Sequence, residues 1–298
     1  MRYFFGIFNE AGRKAPFATF LRGIHLFLLI VLKRASVIRI RFGSSSFRFR
    51  FKDQGRNRGG RGLFLYRERI EDLLQFGDRF IRLGDVCIDA GANQGQYTLA
   101  FLSMVGKQGK VVAIEPMEYA CNIIAEQVVL NGFPQPEIVQ AALSERPGKA
   151  VLDLSKGVVS ASIKRNFGGS QELEVETVSI DQLARDLPLK RVDFIKLDIE
   201  GAELEGLRGA REVLAKHRPI ICVEVIGEDF MALAEHLGSL EYAAYKLDSK
   251  GDLMEIESVE GFEPCVFFIA ERRGAEGGQG GATERSEPEL AIGCASAT

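Results

Sequence analysis

From residue 85 onward, short runs rich in Val and Ile alternate with longer stretches that have helical periodicity. This alternation indicates a mostly parallel β-sheet with helices on both faces, because parallel strands need long crossover connections. The predicted strands are residues 85–89, 110–115, 137–142, 193–198, 219–226, 242–247 and 265–270. The predicted helices are residues 95–105, 117–131, 203–216 and 229–238. The sequence therefore predicts a doubly wound, Rossmann-like α/β fold with a seven-stranded sheet, whose last two strands are antiparallel.

The charge of the chain is unevenly distributed. Residues 1–70 contain 16 Lys and Arg against 3 Asp and Glu, whereas the other 228 residues contain 22 against 38. A basic flank on an acidic body indicates either an anionic partner or a solvated arm that aids solubility. We predict three segments: a basic amino-terminal arm of residues 1–62, a main domain of residues 63–271 and a disordered tail of residues 272–298.

The arm contains an apolar segment that Arg22 and His25 interrupt. A membrane-spanning helix needs about 20 predominantly apolar residues, which this segment does not supply. Lys33 and Arg34 stand where a signal peptide would have small residues, and this disfavours secretion. We therefore expect a cytoplasmic protein in which residues 13–34 form a helix that either packs on the main domain or makes peripheral contact with a membrane.

A basic β-hairpin is predicted after that helix. Residues 37–42 and 47–51 alternate apolar and Arg residues on either side of a Gly-Ser-Ser-Ser turn. Alternation favours Phe facing inward and Arg facing water over a nucleic-acid surface, although interleaved Arg and Phe can bind single strands. Residues 53–62, rich in Gly and Arg, are interpreted as a flexible linker that separates this accessory region from the main domain.

Cysteine and histidine are few in this chain and show no metal-site spacing. The five Cys have no C-x-x-C pairing, and Cys87, Cys222 and Cys265 lie in apolar runs, which indicates core thiols in a reducing compartment. The three His lack the spacing of a zinc site. We predict no metal ligands, and any metal would have to be bound by carboxylates.

A turn rich in glycine follows the first predicted strand. The residues assigned to cofactor binding here and at the start of the next helix are Asp89, Gly91, Asn93, Gly95, Tyr97 and Thr98. Gly91 and Gly95 are expected to give room for the methionine part of a nucleoside cofactor, and Asp89 to accept from its amino group. A nicotinamide fingerprint would need a glycine at Asn93, so the turn argues against a dinucleotide.

The ends of the next two predicted strands supply further cofactor contacts. Glu115, followed by Pro116, stands 24 residues after Gly91, where a carboxylate can accept from both ribose hydroxyls. An acidic residue there disfavours a cofactor that carries a 2′-phosphate on its ribose. The alternative is that Glu115 is an exposed residue at the end of a strand and has no role in binding. Residues 140–144 are the expected neighbours of the base, with Ala142 as the assigned contact.

The fourth predicted strand has an unusual charge density. If the strand continues, its two-residue period places Lys196, Asp198 and Glu200 on one side, and buried charges must be paired or used. Asp198 is the first choice for a catalytic or substrate-positioning carboxylate, with Lys196, Glu200 and Glu224 as further catalytic candidates. Glu203 is expected to stabilise the start of the following helix.

Three motifs together resemble the FkbM family. They are D-x-G-A-N-x-G-x-Y-T at residues 89–98, E-P at 115–116 and D-F-I-K-L-D-I-E-G-A-E at 193–203, and the similarity covers about residues 62–271. The resemblance implies a class I methyltransferase fold that binds S-adenosylmethionine (SAM) and methylates a hydroxyl, often on a sugar or natural product. Gln94 replaces the aliphatic residue usual in such proteins.

The acceptor is expected to be a small molecule or a glycan. Residues 157–170 are rich in small and polar residues, as in a loop over a site, and Lys164 and Arg165 there could meet an anionic acceptor, although an ordinary surface loop is the alternative. Two alternatives stay open, a nicotinamide-dependent oxidoreductase and a non-catalytic SAM-binding or membrane-associated protein. The first lacks the third glycine of its fingerprint.

Overall fold

The structure, a computed structural model, describes residues 16–52, 60–154, 172–187 and 189–270. The predicted tail, the predicted loop at 157–170 with Lys164 and Arg165, and residues 53–59 of the predicted linker lie outside this part of the chain. The strands are β1 (Ala35–Phe42), β2 (Ser45–Lys52), β3 (Val86–Ala90), β4 (Lys110–Ile114), β5 (Glu137–Val139), β6 (Ala142–Leu143), β7 (Gly148–Asp153), β8 (Glu172–Val178), β9 (Phe194–Leu197), β10 (Ile220–Ile226), β11 (Tyr242–Leu247), β12 (Leu253–Glu255) and β13 (Phe262–Ala270). The α-helices are α1 (Pro16–Val31), α2 (Arg61–Tyr66), α3 (Asp72–Phe76), α4 (Gln96–Val105), α5 (Glu118–Asn131), α6 (Ile180–Asp186), α7 (Glu203–Arg208), α8 (Arg211–His217) and α9 (Gly227–Gly238).

The central sheet has the strand order β12-β11-β13-β10-β9-β3-β4-β5. The five strands from β10 to β5 are parallel, whereas β13 runs antiparallel to both of its neighbours, β10 and β11. The predicted mostly parallel α/β sheet is therefore confirmed. Within the described ranges the sheet has eight strands rather than seven, because β12 pairs with β11 at the edge.

Two predicted elements are divided in the structure. The helix expected over 203–216 is α7 and α8, which are separated at Gly209, where a Cβ atom would lie 2.5 Å from the carbonyl oxygen of Ser144. The side chain of Asp181 then accepts hydrogen bonds from the backbone N–H groups of Glu212 and Val213 at the start of α8. Because these donors have no partner within α8, Asp181 favours a new helix start at this point.

The strand predicted over 137–142 is divided into β5 and β6. β5 is the edge of the central sheet, whereas β6 pairs with β8 in a small sheet of order β6-β8-β7. This second sheet was not predicted from the sequence, and its strand β8 alternates exposed and buried residues only in its second half. The small sheet places Ala142 and Leu152 beside the carboxyl edge of the central sheet.

The amino-terminal helix and hairpin are present and pack on the main domain. Phe47, Phe49 and Phe51 of β2 are buried in one hydrophobic cluster with residues of α4 and the central sheet. The side-chain amides of Gln127 and Asn131 in α5 pair with the backbone N–H and C=O groups of the hairpin at Arg50 and Arg48. The helix and hairpin are thus not a separate accessory unit, because they share a core with the sheet.

Cys87, Cys121, Cys222 and Cys265 are free thiols and buried, in agreement with the prediction for the three in apolar runs.

In the part of the chain that the structure describes, every helix is too short or too polar to cross a membrane.

Candidate active site

A cavity of about 320 Å³ lies beyond the carboxyl ends of β3, β4, β9 and β10. This position is where open parallel sheets bind ligands, and the volume falls within the usual range of about 300–1,000 Å³ for small-molecule sites. The predicted residues that line it are Gly91, Asn93, Glu115, Pro116, Ala142, Asp198, Glu200 and Glu224. The fold thus brings most of the predicted site residues to one cavity.

The turn after β3 is held tightly against the end of β9. Gly91 has φ 74°, and a Cβ atom there would lie 1.8 Å from the carbonyl oxygen of Asp198. We expected Gly91 to make room for the cofactor, but its missing side chain makes room for the Asp198 backbone. Gly95, at φ 83°, precedes α4, and a Cβ atom there would lie 3.1 Å from Ile124. Gly91 thus allows close packing of two backbone segments, and Gly95 allows the left-handed turn to pack against the Ile124 side chain.

Glu115 and Asn93 form one wall of the cavity. The Glu115 carboxylate accepts hydrogen bonds from the backbone N–H groups of Asn93 (2.8 Å) and Met117 (3.0 Å). Burial raises the pKa of Glu115, and these two hydrogen bonds oppose that rise. Asn93 has the left-handed φ of 47°, and its side-chain oxygen is buried without a hydrogen-bond partner. A buried Asn93 oxygen without a partner, beside a Glu115 carboxylate that two hydrogen bonds hold in place, fits a ligand that carries hydrogen-bond donors.

Asp89, Tyr97 and Thr98 lie behind the turn rather than in the lining of the cavity. Asp89 is fully buried, accepts a hydrogen bond from the Thr98 hydroxyl at 2.6 Å, and lies 3.7 Å from the Lys196 Nζ atom. Asp89 is not among the residues that line the cavity, and its expected contact with a cofactor amino group stays a prediction. Tyr97 donates to Glu71 and places its ring 4.9 Å from the Lys196 Nζ atom.

Lys196 is the buried cation of the site. Its Nζ atom lies 3.2 Å from the Asp198 carboxylate and 3.3 Å from the carbonyl oxygen of Gly91. Burial lowers the pKa of Lys196, but the charges of Asp198, Asp89 and Glu71 raise it by more, so its pKa lies above the ordinary value. Lys196 was predicted to be catalytic. It does not line the cavity, and it instead orients Asp198.

Asp198 and Glu224 meet at the opposite side of the cavity from Glu115 and Asn93. Burial, the nearby charge of Asp198 and a hydrogen bond between the two side chains raise the pKa of Glu224 to about 9. The raised pKa favours the protonated form of Glu224, which is the form that donates to the Asp198 carboxylate. Two donors, Lys196 and Glu224, thus fix the orientation of Asp198.

Glu200 reaches the cavity through a turn and not through a continued strand. β9 ends at Leu197, and Glu200 has φ 57°, so the predicted two-residue period stops before Glu200. The buried carboxylate of Glu203 accepts from the backbone N–H groups of Ile199 (2.9 Å) and Gly201 (3.1 Å) and holds this turn. Glu203 stabilises the turn before α7, close to its predicted role at the helix start.

Residues 60–71 also contribute to the site, which the sequence motifs did not predict. Gly60, Gly62, Leu63 and Ile70 line the cavity, although residues 53–62 were interpreted as a linker. Burial first, then the charge of Asp198, raises the pKa of Glu71 to about 7, and Tyr97 donates to its carboxylate. No local motif marks these residues, because their role depends on the chain folding back over the sheet.

The strand order, with one antiparallel strand between β10 and β11, and the cavity at the carboxyl edge define a class I methyltransferase fold. The chain belongs to the FkbM methyltransferase family, whose domain matches residues 89–247. The resemblance found in the three sequence motifs is confirmed. Among the described residues, no group of three or more His, Cys, Asp or Glu side chains is arranged to hold a metal ion.

Known relatives are methyltransferases. Methyltransferase sdnD of Sordaria araneosa is 29% identical over 156 residues, which are 42% of this chain and 60% of that protein. Methyltransferase 1 of Beauveria bassiana is 24% identical over 208 residues, which are 62% of this chain and 80% of that protein. The 2-O-methyltransferase NoeI of Sinorhizobium fredii is 26% identical over 149 residues, 45% of this chain and 60% of NoeI. The chain thus spans about 60% of the length of sdnD and of NoeI.

Similar folds occur among solved structures. The methyltransferase FkbM from Methylobacillus flagellatus has a TM-score of 0.45 and 17% identity, over 70% of this chain and 52% of that one.

Proposed function

We propose that this protein is a SAM-dependent O-methyltransferase whose acceptor is a hydroxyl of a sugar, glycolipid or natural product. The observation that carries the proposal is one cavity with Glu115 and Asn93 on one wall and the Asp198–Glu224 pair on the other. The name of the relative NoeI, a 2-O-methyltransferase, supports transfer to oxygen.

The residues on the Glu115 wall fit a nucleoside cofactor with an amino-acid part. The free lone pairs of Glu115 suit ribose hydroxyls, and the orphan oxygen of Asn93 suits a further donor. Carboxylates of Glu115 and Glu200 along the cavity favour a cationic ligand over an anionic one. SAM, when bound, supplies an electrophilic methyl group on a positively charged sulfur.

The opposite wall supplies the proton acceptor. A hydroxyl must lose its proton as its oxygen gains the methyl group, and the Asp198 carboxylate accepts that proton at an Oδ atom. Lys196 holds Asp198 through its carboxylate, and protonated Glu224 keeps the second hydrogen bond. The remaining task of the protein is alignment of the acceptor and exclusion of water. Asp198 is therefore the proposed catalytic base, whereas Lys196 is a positioning residue.

The first experiment is calorimetric titration of the purified chain with SAM and, separately, with NAD. We expect SAM to bind and NAD not to bind, and we expect Glu115→Ala to weaken SAM binding at least tenfold. Binding of NAD, or no binding of SAM, would overturn the cofactor assignment.

A second experiment separates catalysis from binding. With hydroxylated glycans as the first acceptors, Asp198→Asn should keep the SAM affinity and lower kcat by about 10²–10⁴-fold, the usual contribution of a general base. Unchanged turnover in that variant would remove Asp198 from the mechanism.

A further inference from the structure

The outward face of α1 is apolar along its whole length. Phe17, Ile24, Phe27 and Val31 are 73%, 44%, 63% and 58% exposed. Their spacings are seven, three and four residues, which are whole turns of an α-helix, so they lie on one face, with Leu28 beside them. Contiguous exposed apolar surface of this kind indicates an interaction site.

The opposite face fixes the helix to the rest of the protein. Thr19, Leu26 and Leu29 are buried, and α1 packs against α2. Arg22 is the only charged residue of α1, and its guanidinium turns inward to donate to the carbonyl oxygen of Leu65 at 3.0 Å. The outward face is therefore held in place and carries no charge.

Basic residues follow this apolar face directly. Lys33 and Arg34 are exposed at the end of α1, and Arg39, Arg41 and Arg50 are exposed on the outer side of the hairpin. Residues 16–52 contain no Asp or Glu. Arg39 and Arg48 are direct cross-strand partners, and the guanidinium of Arg48 donates to the carbonyl oxygen of Leu130.

We propose that α1, with Lys33 and Arg34, docks this protein onto an anionic lipid bilayer, with the helix lying in the interface and its apolar face inserted. An interfacial helix combines an apolar face with flanking basic residues, which is the arrangement here. A symmetric pair of chains that met through the same face would bring the basic residues of two copies together, whereas anionic lipids neutralise them. The inference does not depend on the methyl-transfer chemistry.

The absence of Trp from the sequence allows a site-specific test. Phe27→Trp in the full chain places one indole on the outward face of α1. Met231→Trp is the matched control, because Met231 is 65% exposed on α9. The buried residues of α9 belong to a different hydrophobic cluster from those of α1 and the hairpin. We expect phosphatidylcholine vesicles that contain phosphatidylserine to shift the indole emission of the Phe27→Trp variant to shorter wavelength and to leave the emission of the Met231→Trp variant unchanged. No shift in the Phe27→Trp variant, or an equal shift in both variants, would overturn the proposal.

A sedimentation assay tests the apolar contacts and the charges separately. The variant Ile24→Gln/Phe27→Gln/Val31→Gln should lower binding to the same vesicles at least tenfold, and Lys33→Gln/Arg34→Gln should lower it severalfold and reduce its dependence on salt. Met231→Gln is the control, and unchanged thermal unfolding verifies the fold of each variant. Equal binding by the triple variant contradicts the proposal. A dimer in gel filtration that the triple variant converts to a monomer, without vesicle binding by either, would instead assign the face to self-association.

Discussion

Lys196 lies among carboxylates that it alone neutralises within the described part of the site. Breaking a buried ion pair by removing one partner leaves an uncompensated charge and costs about 3–5 kcal/mol. Asp89 would be left in that position, because it is fully buried 3.7 Å from the Lys196 Nζ atom. We therefore expect Lys196→Met to lower the free energy of unfolding by about that amount.

Urea denaturation measures this change, and Lys149→Met is the control. Lys149 pairs with Glu174 on the protein surface, where solvent screens the interaction. The control variant should unfold like the wild type. Equal losses of unfolding free energy in the two variants would show that the buried carboxylates around Lys196 do not cause the loss.

Glu224 makes stability depend on pH. Its pKa is near 4.5 in the unfolded chain and about 9 in the folded protein, so the folded state binds the proton more tightly. Stability from this group is present at low pH and falls as pH rises between those two values. Glu224→Gln keeps a donor for Asp198 and cannot ionise, so we expect its melting temperature to fall less steeply over that range. Parallel melting curves of wild type and variant would contradict the assigned pKa.

The sequence identified most residues of the cavity but not their roles. Glu115 and Asp198 could be predicted because each ends a buried strand, and parallel strands place their carboxyl ends at one edge. The burial of Asp89 behind the turn could not be predicted, since it depends on the side to which the strand residue points and on Thr98 and Lys196 closing over it. Glu71 carries no local signal, because only the tertiary fold brings it to Tyr97.

At the level of elements, the turn between β3 and α4 depends on the absence of a side chain at Gly91. Ala there would place its Cβ atom 1.8 Å from a backbone oxygen, which cannot move without shifting the end of β9. We expect Gly91→Ala to destabilise the protein and to weaken SAM binding more than tenfold in calorimetric titration.

Gly132→Ala is a matched control for this prediction. Gly132 ends α5 with φ 65° and has no neighbouring atom within 4 Å of a built Cβ, so the change adds only backbone strain of about 1–2 kcal/mol. It should therefore destabilise the protein without affecting SAM affinity. A loss of affinity in both variants would assign the effect of Gly91→Ala to general destabilisation.

The edge of the hairpin depends on two side chains of α5. Gln127 and Asn131 occupy backbone groups of Arg50 and Arg48 that otherwise have no strand partner. We expect Gln127→Leu/Asn131→Leu to accelerate hydrogen exchange of the Arg48 and Arg50 amides, while exchange in β3 stays unchanged. Exchange rates equal to those of the wild type would show that the hairpin holds its position without these contacts.

The type of an element could be predicted from the sequence where its hydrophobic period is long. The positions at which a predicted helix or strand is divided into two elements could not be predicted. Residues 203–216 have one helical period, but Gly209 meets the Ser144 backbone and Asp181 begins a second helix. Residues 137–142 have one strand pattern, but β6 pairs with β8, which lies far along the chain. In both cases the division is made by contacts with distant segments that no local period records.

At the scale of the whole molecule, the arm and the sheet share one core. Phe49 is fully buried in the cluster that includes Phe101 and Phe194. We therefore expect calorimetry of the full chain to show hairpin and sheet unfolding in one transition, and Phe49→Ala to destabilise that transition by about 3–5 kcal/mol. A separate low-temperature transition that alone responds to Phe49→Ala would contradict the shared core.

The segment that connects the hairpin to the sheet also forms part of the cavity, through Gly60, Leu63 and Ile70. Leu63 belongs to α2, on which α1 rests. Attachment of the arm and occupation of the cavity are consequently linked equilibria, and linkage is reciprocal. If attachment of the arm raises the ligand affinity by some factor, the bound ligand raises the equilibrium constant for attachment of the arm by the same factor.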